Sequence, residues 1–147
     1  MKLHETMPEL AGVSGWLNSD GKEEPAGQKP VLIHFWSVSS PLCFEAMPEL
    51  NDIRDDLESD LHFIAVHVPL LEKDVNLSVI KESANHLNIT QPVALDNQRV
   101  LADAFEIPKV PAYYVFDSGG RLRHFQKGGR GIKMLRRRIE RVLKSGD

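Results

Sequence analysis

"VLIHFWSVSSPLCFEAMPEL", residues 31–50, changes character halfway along. Val31 to Trp36 is a nearly continuous apolar and aromatic run, which predicts a central strand covered on both faces. From about Pro41 the pattern becomes helical. Cys43, Met47, Leu50, Ile53 and Leu57 recur at three- or four-residue spacing and mark one buried stripe. Ser40 at the N-cap and Pro41 at the first helical position make a good helix start. The Ser40 hydroxyl is placed to accept from the backbone N–H of residue 42 or 43, a contact worth about 1 kcal/mol. Pro48 falls inside this helix, removes one ladder hydrogen bond and predicts a kink.

Working outward, "NSDGKEEPAGQKP" (18–30) reads as a polar loop that precedes the first strong strand. "HFIAVHV" (62–68) is a second strand of the buried type. Leu77, Ile80, Ala84 and Leu87 predict an amphipathic helix, "PVALD" (92–96) a short third strand, and the segment from Gln98 to Phe105 another helix. "AYYVFD" and "RLRHFQK" flank Ser118-Gly119-Gly120 as a hairpin. A last helix carries Ile132, Leu135, Ile139, Val142 and Leu143 on one side. Strands alternating with helices, closed by a hairpin and a helix, predict an α/β sheet with helices on both faces. The first two strands are expected to be parallel, with a right-handed crossover.

At 147 residues the chain suits one domain, 1–147, without repeats or internal linkers. A net charge of -3 argues against a general nucleic-acid binder. No apolar run is long enough for a membrane span. "MKLHETMPELAG" has charges and prolines where a signal peptide carries its apolar core. Cys43 is the single cysteine, so no internal disulfide forms, which suits a reducing, cytoplasmic setting. His62 and His67 lie five apart in one strand and point to opposite faces. No pair has metal-ligand spacing, so neither a metal nor another cofactor is expected. Arg136, Arg137, Arg138, Arg141 and Lys144 read as the solvated face of the last helix.

Ser40 and Cys43 stand one helical turn apart at a helix start. A group there meets unpaired N–H donors and the positive end of the helix dipole, which stabilise a thiolate. A cysteine three residues on is placed to resolve a mixed disulfide. The spacing thus has redox geometry with one sulfur missing.

"FWSVSSPLCFEAMPEL" resembles the active-site segment of the TlpA/ResA-like thiol-disulfide oxidoreductases, whose pattern runs F-W-x-x-x-C-x-x-C-x-x-x-M-P-x-L. "VPAYYVFDSGGRLRHFQKGG" (110–129) resembles their cis-proline loop, hairpin and following glycine loop. The resemblance covers essentially the whole chain and is nearest to a cytosolic branch without an export signal. It implies a thioredoxin-like fold: a mixed central sheet with helices on both faces, an extra N-terminal segment and an inserted helix before the third strand.

Carried over by position, Ser40 stands at the attacking cysteine and Cys43 at the resolving one. Pro111 stands at the cis-proline, with Val110 offering backbone groups to an extended substrate and Pro41 beside the groove. The implied activity is thiol-disulfide exchange with a protein disulfide substrate, regenerated by an upstream reductant, in a protein expected to be a monomer. A hydroxyl cannot attack a disulfide as a thiolate does, so the chain is expected not to cycle. An introduced Cys-to-Ser change and a natural loss of the nucleophile both remain open. Exported relatives often carry Glu where this chain has Ala46; Glu45 is its neighbour, a candidate for proton transfer. His34 is a candidate proton relay or a satisfied core histidine. Two other functions are consistent with the residues. One is a single-cysteine peroxidase using Cys43, against which Trp36 stands where P-x-x-x-[ST]-x-x-C needs proline. The other is a redox-dead binding module.

Overall fold

The computed structural model describes residues 1–19 and 29–145; residues 20–28, most of the predicted polar loop, lie outside the described residues. Its strands are β1 (Gly15–Leu17), β2 (Val31–Trp36), β3 (His62–His67), β4 (Val93–Leu95), β5 (Ala112–Phe116) and β6 (Leu122–Lys127). Its helices are α1 (Pro41–Leu57), α2 (Leu77–His86), α3 (Val100–Phe105) and α4 (Ile132–Ser145), with a 3-10 turn at Glu72–Val75.

The six strands form one mixed sheet in the order β1-β4-β3-β2-β5-β6. β2 lies inside it, parallel to β3 on one side and antiparallel to β5 on the other. All six of its residues are buried, which is why the run has no polar alternation. Successive strand residues point to opposite faces. Phe35 meets the Phe105 ring of α3 at 5.1 Å, whereas the neighbouring His34 faces the charge of Arg54 on α1. The helices α1 and α3 therefore cover opposite faces, and α4 packs beside α1.

The predicted α1 stripe is buried at Cys43, Met47, Leu50 and Ile53, and Pro48 lies within the helix. In α2 only Ile80 and Ala84 of the predicted stripe are buried; Leu77, in the first turn, is 45% exposed. On α4, Arg136 pairs with Asp56 of α1 at 2.8 Å, while Arg137, Arg138, Arg141 and Lys144 face solvent.

Two features had no clear sequence signal. β1 pairs antiparallel with β4, and Thr6 bridges Arg121, so the N-terminal segment is laced to the sheet. Three residues are too few to show a period-two pattern, and their pairing is decided by β4. The 3-10 turn at Glu72–Val75 likewise has no apolar period; local hydrogen bonds close it, with Asp74 accepting the Leu70 and Leu71 N–H groups.

Candidate active site

The chain leaves β2 at Trp36, turns through Ser37 to Ser40 and enters α1. Ser40 has the extended backbone of an N-cap (φ -112, ψ 106). The turn is closed by Ser40 N–H donating to the Ser37 carbonyl and Cys43 N–H to the Ser40 carbonyl, each at 3.2 Å. One expectation is corrected: the Ser40 side chain makes no capping hydrogen bond. Its hydroxyl instead meets the Cys43 thiol, which the Ser37 backbone also contacts. The Cys43 N–H is already satisfied by the Ser40 carbonyl, which leaves the hydroxyl free to face the sulfur.

Cys43 is fully buried. Burial pushes its thiol up, and the contacts with Ser40 and the Ser37 backbone only partly offset this. Burial also raises Tyr113, and the charge that Cys43 would carry adds to that rise. The sulfur is therefore a protonated, shielded thiol at rest, a state that suits a resolving cysteine more than an attacking one.

Two side chains pin the turn from one side. Val38 N–H donates to His67 Nε2 at 3.2 Å. The Ser39 hydroxyl donates to Asp74 Oδ1 at 2.7 Å, while the other carboxylate oxygen accepts the Leu70 and Leu71 N–H groups at 2.9 Å each. Those hydrogen bonds hold the Asp74 carboxyl below its usual range against the opposing effect of burial. Burial lowers His67 to about 4, so it is neutral near pH 7. Neither Trp36 Nε1 nor His67 Nδ1 has a hydrogen-bond partner among the described residues. Their rings meet edge-on at 4.9 Å and 77°, an arrangement in which a ring N–H can point at a π face.

Opposite the turn lies the loop before β5. Phe35 pairs with Ala112, so the residues on either side of them, Trp36 and Pro111, sit at the same end of the sheet. The Val110–Pro111 peptide is cis, and both residues are buried. Gly128 N–H donates to the Pro111 carbonyl at 2.8 Å, and Gly129 lies against Leu42 of α1's first turn. Pro41 is exposed beside it. Gly128 has φ +96, a backbone region that disfavours side chains. Gly128→Ala is therefore expected to lower stability by about 1 kcal/mol. A urea midpoint equal to that of the parent would show that this loop adapts without strain.

Two candidate residues are not brought to the sulfur. His34 Nε2 pairs with Gln91 Nε2 at 2.7 Å, and Gln91 Oε1 accepts from Arg54 Nη1 at 2.8 Å. Arg54 is eleven residues along α1 from Cys43, about 16 Å at the rise of a helix. The structure thus places His34 in a buried polar network with Gln91 and Arg54. Glu45 is exposed on the outer side of α1, while the neighbouring Ala46 is buried. Among the described residues no group of three or more His, Cys, Asp or Glu could hold a metal ion.

Burial, with the Arg54 charge, lowers His34 to about 3. Between pH 6.5 and about 4 the unfolded chain binds protons at positions 34 and 67 that the folded chain refuses. Stability is therefore full above pH 6.5 and falls as the solution is acidified, by about 1.4 kcal/mol per pH unit for each histidine. Urea unfolding at pH 7 and pH 5 measures this slope, and His34→Gln is expected to make it shallower.

Asp74 and His67 escaped the sequence reading as site residues. Asp74 sits in an otherwise exposed stretch, and His67 was weighed only as a metal ligand. No spacing rule links either of them to residues 38 and 39.

Residues 19–125 match the AhpC/TSA family. The chain belongs to that family. The chain is 53% identical over 144 residues to the thiol-disulfide oxidoreductase YkuV of Bacillus subtilis (strain 168), with 97% of each chain covered. It is 26% identical to the thiol-disulfide oxidoreductase ResA of Geobacillus kaustophilus (strain HTA426), covering 80% of this chain and 63% of that protein. The solution structure of a thioredoxin-like protein in its oxidized form superimposes with a TM-score of 0.90, at 51% identity and full coverage of both chains. This AhpC/TSA chain therefore has the thioredoxin-like fold that its motifs implied, and its relatives place it among the thiol-disulfide oxidoreductases.

Proposed function

We propose that this protein is built for dithiol–disulfide exchange with protein substrates, and that with Ser40 at the attacking position it does not turn over. The observation that carries this reading is the contact between the Ser40 side chain and the Cys43 thiol in the first turn of α1. In the exchange, a thiolate at position 40 attacks one sulfur of a substrate disulfide. That S–S bond breaks, and the other substrate sulfur leaves with the electron pair and takes a proton. The Cys43 thiolate then attacks the mixed disulfide at the sulfur of position 40. It releases the second substrate thiol and leaves an internal disulfide, so two thiols of the enzyme are oxidised as one substrate disulfide is reduced. An upstream dithiol reductant reverses the internal disulfide.

The groove is supplied by Pro41, Val110 and Pro111, with exposed Leu42 on one rim and exposed Leu70 and Leu71 next to the Asp74 pin. A reducing, cytoplasmic setting and a monomeric state complete the proposal. They are supported by the single cysteine and by the helices on both sheet faces. The peroxidase alternative is disfavoured by the zero exposure and raised pKa of Cys43, since peroxide needs an accessible thiolate. A slow, unassisted reaction of Cys43 with hydrogen peroxide is the expected stopped-flow result.

The test is the oxidation state of Ser40→Cys. Under mild oxidation the variant is expected to lose two hydrogens and to become resistant to iodoacetamide at both positions. Two thiols that stay open to alkylation in oxidising buffer would sink the proposal.

A further inference from the structure

Asp74 is a buried carboxylate that the exchange reaction does not use. Its side chain does three things at once: it accepts the Ser39 hydroxyl at 2.7 Å, and it accepts the Leu70 and Leu71 N–H groups at 2.9 Å each. Ser39 immediately precedes position 40. The carboxylate is therefore hydrogen-bonded to the residue next to the place of the nucleophile, and the Leu70 and Leu71 N–H groups hold it in position. The other pin, His67, is uncharged near neutral pH and so does not neutralise it there. Glu72 and Lys73 in the same 3-10 turn are exposed to solvent, which screens their charges.

We propose that Asp74 is a positioning residue that fixes the active-site turn through Ser39 and places a negative charge beside position 40, so that a sulfur there ionises less readily and the pair favours its disulfide. This rests on the exchange reading above. The helix start pulls the other way, since unpaired N–H groups and the dipole stabilise a thiolate. A fixed anion nearby destabilises it by Coulomb repulsion in a partly desolvated site. Destabilising the thiolate weakens the reduced form relative to the disulfide, which makes the pair a stronger reductant. Asp74 would thereby set the direction of exchange toward reducing its substrates.

The test uses Ser40→Cys in its reduced form, with the alkylation rate at position 40 followed against pH and localised by mass spectrometry. Adding Asp74→Asn removes the charge with little change of shape. It is expected to speed alkylation about tenfold below the titration midpoint. At a pH above the titration midpoint, where position 40 is ionised, it is also expected to shift the equilibrium with glutathione about tenfold toward the dithiol, equivalent to about 30 mV. Adding Ser39→Ala instead cuts the tether and keeps the charge, and is expected not to move the profile to lower pH. Ser39→Thr retains a hydroxyl and is expected to behave like Ser40→Cys alone. Asp74→Ser serves as a second neutral variant if Asp74→Asn does not fold.

An unchanged profile in the neutral variants overturns the proposal, as does an equal fall in the neutral variants and in Ser39→Ala, which would reduce Asp74 to a structural peg. Ionisation at position 40 is read without catalysis. An inactive Ser40→Cys protein would therefore count against the exchange reading and leave this measurement standing.

Discussion

Ser40→Cys is expected to reduce insulin disulfides with a dithiol reductant present, and the chain with Ser40 is expected to show no such activity above background. The gain is expected to be on the order of a hundredfold or more, because the change supplies a thiolate where only a hydroxyl stood. Position 40 opens α1, its side chain faces the Cys43 thiol, and the Pro111 loop lies at the same end of the sheet. Replacing oxygen by sulfur at a residue that is 7% exposed and makes no capping bond is expected to leave the fold intact. Adding Cys43→Ser to the variant removes the resolving thiol and is expected to leave substrate attached as a mixed disulfide. Insulin turbidity that rises no faster than with Ser40 in place, in a protein that folds normally, would refute the functional reading.

The largest expected loss of stability comes from Phe105→Ala, at about 3–5 kcal/mol. Phe105 is fully buried and packs on Phe35 at 5.1 Å, Tyr114 at 5.3 Å and Phe116 at 6.0 Å. These contacts join α3 to strands β2 and β5, and the Tyr114 hydroxyl donates to the Phe105 carbonyl at 3.1 Å. Truncation leaves a ring-sized gap between elements that cannot close on one another without shifting the sheet. The same cluster precedes the loop that delivers Pro111, so the loss is expected to reach the active site as well. A urea midpoint shift worth less than about 1 kcal/mol would show that this face repacks freely.

What could be read early was whatever depends on neighbours along the chain. The continuous apolar run of β2, the stripe at 43, 47, 50 and 53, and the hairpin around residues 118–120 each express burial through a local period. The resemblance then implied roles for Ser40, Cys43 and Pro111 through an ordered set of motifs. Local reasoning erred at Ser40, whose hydroxyl was expected to cap the helix. A cap needs only residues 40 to 43, but the sulfur competing for that hydroxyl is also placed by the packing of α1 on the sheet.

The sequence by itself determined the order of the elements from β2 to α4, the 3-10 turn apart, and the spacing of positions 40 and 43, because burial periodicity and helical geometry act over a few residues. Tertiary structure alone decided which polar groups meet at the turn. Asp74 reaches Ser39 across 35 residues, His67 reaches Val38 across 29, and His34 finds Gln91 across 57. Such contacts form only after β2, β3 and their connecting segments are stacked, and a hydrogen bond between distant residues leaves no period in the chain. For that reason the one-turn spacing of Ser40 and Cys43 is legible in the chain, while the Asp74 carboxylate that holds Ser39 came to light only in the folded protein.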